Sequence, residues 1–128
     1  MNSGVDISGT TVLLVEDEPV VQTVIERHLL ARGCSVYVAG DVDAALDVMA
    51  EHGADVNFLI IDSVLPSRSG SNVSTELKSL FGTERTLVIS GYPQPVNSPY
   101  AFLQKPFTGE RLVQEIERLM SISTRPRD

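Results

Sequence analysis

Four short runs rich in apolar and β-branched residues dominate the chain: TVLLV at 11–15, SVYVAG at 35–40, VNFLIID at 56–62 and TLVIS at 86–90. A fifth, AFLQ, follows at 101–104. The first three connections carry apolar residues at helical spacing, so each is long enough for a crossover helix. Strands buried on both faces and alternating with helices read as βαβ units around a parallel sheet. Right-handed crossovers leave few topologies, and a five-stranded doubly wound sheet of order 2-1-3-4-5 is the natural one.

Helix boundaries follow from local chemistry. The first helix starts at Pro19, favoured in a first turn, and runs to Arg32, where Gly33 stops it. Val21, Ile25, His28 and Leu29 fall on one face of it. Asp41 caps a second helix that continues through DAALDVMAEH to Gly53. A third is SNVSTELKSLF, closed by Gly82, and a last one begins at Thr108 and ends near Ile122. The passage between Ser90 and Lys105 is different. Pro93, Pro95 and Pro99 each remove a backbone donor and restrict the preceding residue. An extended or irregular loop is expected there instead of a fourth crossover helix.

The chain has 128 residues and a formal net charge of −7. That is one domain's worth of core, and its acidity argues against nucleic-acid binding, since no basic field attracts phosphates. No apolar run approaches the roughly 20 residues that span a bilayer. The polar start, MNSGVDISG, reads as a flexible leader over 1–9 and not as a signal peptide. A folded unit is expected over 10–122, with a polar tail over 123–128 and no output domain after it. Cys34 is alone, fits a reducing, cytoplasmic setting, and is expected to be a small buried hydrophobe. His28 and His52 have no metal-ligand spacing.

Ligands of open α/β sheets bind outside the carboxyl ends of the strands. Those ends carry Glu16 and Asp17 after the first strand, Asp62 on the third, Ser90 on the fourth, and Lys105 with Pro106 after the fifth. Carboxylates closing a buried strand are costly unless a cation or a hydrogen-bonding group compensates them. Mg²⁺ suits such a site, because it prefers one or two carboxylates with water and phosphate oxygens. With a metal bound, Asp62 becomes a candidate nucleophile toward phosphorus. Lys105 and Ser90 are then candidates to stabilise the transferring group. No GxxxxGK[ST] or GxGxxG is present. Other readings stay open at single positions: Asp17 and Glu18 as helix caps, Ser90 as a turn residue, Phe102 as a core aromatic.

LLVEDE, LIIDSVLPSRSG, LVISGY and FLQKPF resemble, in order, the four signature segments of the receiver domain of two-component response regulators. The resemblance covers about Thr10 to Met120. It implies a flavodoxin-like fold and a phospho-acceptor at Asp62. It also implies a Mg²⁺ site formed by Glu16, Asp17, Asp62 and the backbone carbonyl of Val64. Ser90 matches the switch hydroxyl, Phe102 the switch aromatic, and Lys105 the family's lysine, with a cis bond to Pro106. Val64 and Tyr92 would flank the path of a hydrolytic water and slow self-dephosphorylation.

The implied partners are a sensor histidine kinase or a histidine phosphotransfer protein. Val20 and Val24, off the core face of the first helix, are either scattered surface residues or the docking patch for such a donor. The missing helix departs from the family pattern, and this short version resembles receivers associated with hybrid histidine kinases. A pseudo-receiver acting by interaction alone is the alternative. A Mg²⁺-dependent aspartyl phosphatase is disfavoured by Val64, which stands where such enzymes carry a second acid. A flavin binder is disfavoured by acids in the first loop.

Overall fold

A computed structural model describes residues 6–65 and 73–124. Five strands, β1 (Thr11–Val15), β2 (Ser35–Ala39), β3 (Phe58–Asp62), β4 (Thr86–Ser90) and β5 (Ala101–Gln104), form one sheet. Its order is β2-β1-β3-β4-β5, with every neighbouring pair parallel. This is the expected architecture. The helices among the described residues are α1 (Pro19–Ala31), α2 (Val42–His52), α3 (Val73–Phe81) and α4 (Gly109–Thr124). No helix lies between β4 and β5, where residues 91–100 form bends and turns. Asn97 takes a left-handed conformation there, φ 64°.

β3 and β4 are buried along their whole lengths, as central parallel strands should be. Strand alternation divides the core in two. Val12, Leu14, Phe58, Ile60, Leu87 and Ile89 face α1 and α4. Leu13, Val15, Leu59, Ile61 and Val88 face α2 and α3. Ile25 and Leu29 are the buried stripe of α1, while His28 is half-buried with its ring against Gly109. A Cβ on Gly109 would stand 2.0–2.1 Å from three atoms of that imidazole.

Several boundaries differ from expectation by a residue or two. Asp41 caps α2 as expected, its carboxylate accepting from Ala44 N at 2.7 Å. Thr108 precedes α4 instead of opening it, because its hydroxyl accepts from Arg111 N at 3.0 Å. α4 continues to Thr124, past the expected end near Ile122. The expected leader contributes to the core: Ile7 is 2% exposed, and its carbonyl accepts from Thr10 N and Cys34 Sγ. Residues 1–5, 66–72 (the PSRSG loop and the expected start of the third helix) and 125–128 lie outside the described residues.

Gly33 sits at φ 84°, and a Cβ there would lie 2.8 Å from Ser8 Cβ. Both the backbone conformation and this close approach therefore demand glycine. Cys34 is 5% exposed, and burial raises its thiol pKa. It packs as a hydrophobe. His52 stacks on Tyr37 with ring centroids 4.6 Å apart.

Candidate functional site

The carboxyl ends of β1, β3, β4 and the β5–α4 connection converge on one edge. Glu16 directly follows β1 and is fully buried, its backbone N–H donating to Ala39 O. Asp62 closes β3 at 7% exposure. Asp17 and Glu18 are exposed. One carboxylate oxygen from each of these four residues falls within 4.8 Å of the others. Among the described residues this is the only group of three or more such side chains with metal-holding spacing.

Lys105 reaches into that cluster across a cis bond to Pro106. Its ammonium lies 2.6 Å from Asp62 Oδ2, 2.7 Å from Glu16 Oε1 and 3.3 Å from Glu18 Oε1. Its backbone N–H donates to Ser90 O at 2.7 Å, which ties the loop to the end of β4. Burial works against the Lys105 charge, but hydrogen bonds to Asp62 and Glu16 outweigh it and hold its pKa above the ordinary lysine value. Burial also raises the Glu16 carboxyl, although Lys105 and the Glu18 N–H relieve part of that penalty. The buried Glu16 Oε1 has the Lys105 ammonium, at 2.7 Å, as its one close partner. Four acids served by one ammonium leave carboxylate oxygens with spare capacity for a second cation.

Capping does not explain Glu18. It occupies the N-cap position of α1, yet its side chain caps nothing and pairs with Lys105 instead. Its N–H donates to Glu16 Oε2 at 3.0 Å, so the start of α1 is tied to the acidic cluster. Asp62 Oδ1 accepts from Val64 N at 2.9 Å, which orients the carboxylate from the chain just after it. Val64 and Tyr92, 60% and 67% exposed, line a cleft of about 260 Å³ with Asp17, Asp62 and Lys105. The Val64 side chain carries no acid to serve a phosphatase.

Ser90 is 1% exposed. Its hydroxyl accepts from Tyr92 N at 3.0 Å and lies 2.6 Å from Ser63 Oγ. Phe102 is half-buried on the same sheet face. On α1, Val20 is 75% and Val24 43% exposed. Together with Val21, Ile25, Pro106 and Phe107 they line an apolar cleft of about 400 Å³ that abuts Glu18 and Lys105. Sequence reasoning did not find the Ser63 hydroxyl or the Glu18–Lys105 pair. Strand register was the signal for the first: Asp62 is level with Ile89, so the next residues, Ser63 and Ser90, are neighbours.

The model of the response regulator receiver domain matches residues 12–117. The chain therefore belongs to the receiver-domain family of two-component response regulators. It is 32% identical over 123 residues to the sensor kinase CckA of Brucella abortus, covering 90% of this chain and 13% of that protein. It is 30% identical to the transcriptional regulatory protein TrcR of Mycobacterium tuberculosis, covering 96% of this chain and 51% of the relative. The chain thus spans about half or less of the length of these relatives. The crystal structure of the receiver domain from the hybrid histidine kinase CckA superposes with a TM-score of 0.71 at 31% identity. That match covers 86% of this chain and 98% of the solved one. Among the described residues no helix is long and apolar enough to cross a membrane.

Proposed function

We propose that this receiver domain accepts a phosphoryl group on Asp62 from a phospho-histidine donor. The observation that carries the reading is one buried carboxylate at the end of β3, 2.6 Å from a lysine ammonium and beside three further acids. The hard oxygen donors fit a small divalent cation such as Mg²⁺. Glu16, Asp17, Asp62 and the Val64 carbonyl would hold it. When bound, the metal supplies charge neutralisation for the acids and for an incoming phosphoryl group.

An Asp62 carboxylate oxygen attacks phosphorus as the donor's P–N bond breaks. The imidazole nitrogen leaves with the bonding electrons and regains a proton, and an acyl phosphate remains. Lys105, already paired to Asp62, is placed to pair with a phosphoryl oxygen as charge moves outward. The Ser90 hydroxyl donates to another phosphoryl oxygen, and Phe102, on the same face, follows it. The domain thus promotes its own modification and turns over no external substrate.

The donor is a sensor histidine kinase or a histidine phosphotransfer protein. An amphipathic helix carrying the phospho-histidine would lay its apolar side in the Val20–Val24 cleft, which opens beside Lys105. Such donors and the unpaired Cys34 are consistent with a cytoplasmic setting. The test is intact mass after incubation with Mg²⁺ and acetyl phosphate. A gain of one phosphoryl group, absent from Asp62→Asn and prevented by EDTA, is expected. An equal gain in Asp62→Asn would overturn the assignment of the acceptor, and no gain from either acetyl phosphate or a phospho-histidine donor would overturn the function.

A further inference from the structure

We propose that Ser63 is a latch on the switch: its hydroxyl holds Ser90 on the Phe102 side of the sheet, and phosphorylation must break that bond. The inference rests on the phospho-acceptor reading above and adds a positioning residue to it.

Side-chain alternation separates the two halves of the site. Phe58 and Ile60 of β3 face α1 and α4, so Asp62 shares their side. Val88 of β4 faces α2 and α3 with Phe102, so Ser90 shares that side. Ser63 extends the β3–β4 pairing by one residue, its N–H donating to Ile89 O at 2.9 Å. That step places it on the Ser90 side, and the two hydroxyl oxygens are 2.6 Å apart. For its hydroxyl to reach a phosphoryl group on Asp62, Ser90 must turn away from Ser63.

The hydrogen-bonding capacity of Ser90 is small: one proton and two lone pairs. Tyr92 N–H occupies one lone pair, and Ser63 takes either the proton or the second lone pair. At 1% exposure Ser90 finds no water to replace a lost partner. Ser63 is exposed, so its own hydroxyl is rehydrated when the bond breaks. The bond therefore favours the resting position by the amount typical of one net hydrogen bond, a factor of about two to ten in the switching equilibrium. An exposed serine is also a site where alanine is tolerated without harm to folding.

The test compares wild type, Ser63→Ala and Ser63→Thr for binding of beryllofluoride, a mimic of the phosphoryl group, with Mg²⁺ in excess. Ser63→Ala is expected to bind about two- to tenfold more tightly, with Ser63→Thr close to wild type. Mg²⁺ affinity alone should not move, because the Ser63 side chain lies on the opposite face from Asp62. In unliganded Ser63→Ala the Phe102 ring resonances should shift part of the way toward those of the beryllofluoride-bound wild type, a change that a purely structural role would not produce. Equal or weaker beryllofluoride binding by Ser63→Ala would overturn the latch alone. Absence of binding by wild type, or binding unaffected by Asp62→Asn, would overturn the acceptor reading and the latch with it.

Discussion

Replacing Lys105 by methionine keeps an apolar stem and removes the ammonium that holds the acidic cluster together. Three carboxylates lose a partner at 2.6, 2.7 and 3.3 Å, and two of them, Glu16 and Asp62, are buried. Removing one member of a buried pair destabilises by about 3–5 kcal/mol. The lysine side chain is 16% exposed and Glu18 61%, which lowers the expected loss to about 2–4 kcal/mol. For a chain of this size that is roughly 8–15 °C in Tm. Burial already raises the Glu16 carboxyl, and without Lys105 it rises further. A raised folded-state pKa destabilises the ionised form, so the loss is largest at neutral pH and shrinks as pH falls and the carboxyl protonates. A divalent ion reverses the loss by another route. Saturation at a hundredfold Kd adds about 2.7 kcal/mol, and the variant binds the ion without competition from the ammonium. Thermal unfolding followed by circular dichroism, in EDTA and across a Mg²⁺ series, measures both effects. The Mg²⁺-induced rise in Tm should be larger in the variant than in wild type. A variant within about 2 °C of wild type in EDTA, or one indifferent to Mg²⁺, would refute the reasoning.

Two further changes probe other parts of the molecule. Val24→Asp places a charge in the apolar cleft of α1, and phosphoryl transfer from a histidine donor should slow by about tenfold or more while labelling by acetyl phosphate stays within about twofold; equal slowing of both would defeat the docking role. Gly109→Ala drives a methyl group to within 2.0–2.1 Å of the His28 ring. It should destabilise by about 1–3 kcal/mol in urea unfolding despite alanine's better helix propensity; His28→Ala should restore most of the loss, and a coupling energy under about 0.5 kcal/mol would contradict the clash.

The sheet was legible because a parallel core leaves unbroken apolar runs. β1, β4 and β5 have the bounds expected from TVLLV, TLVIS and AFLQ alone. The absence of a helix before β5 was legible for a negative reason, three prolines in ten residues. Helix ends were less so: whether Thr108 opens α4 or caps it depends on the donor its hydroxyl finds. Ile7 was missed because a lone apolar residue in a polar stretch has no period to reveal it. At the site, the topological rule brought Glu16, Asp17, Asp62, Ser90 and Lys105 to one edge without any coordinates. It could not supply the pairing of Glu18 with Lys105 or of Ser63 with Ser90. The first depends on the path of the loop after β1 and the reach of two long side chains, the second on the β3–β4 register, which apolar patterning alone does not fix.

Register also shapes what the missing helix means. Asp62 and Lys105 belong to the side of α1 and α4, whereas Ser63, Ser90 and Phe102 belong to the side of α2 and α3. No helix from the β4–β5 connection lies over that second side, and at the β5 edge Phe102 borders an open cleft of about 430 Å³ shared with Thr83, Gln94 and Tyr100 and, from α4, Glu115 and Arg118. Tyr100 is in turn approached by Lys78 of α3, whose ammonium lies 5.1 Å from the ring centroid, close enough for a cation–π contact. On the proposed reading, a turn of Ser90 toward a phosphoryl group on Asp62 would free the space beside Phe102. The ring could then enter it without displacing a packed helix, and its motion would alter the wall of the cleft and the Tyr100–Lys78 contact beyond it. Switching would then cost little more than the hydrogen bonds at Ser90, a balance that one hydroxyl at Ser63 is large enough to set.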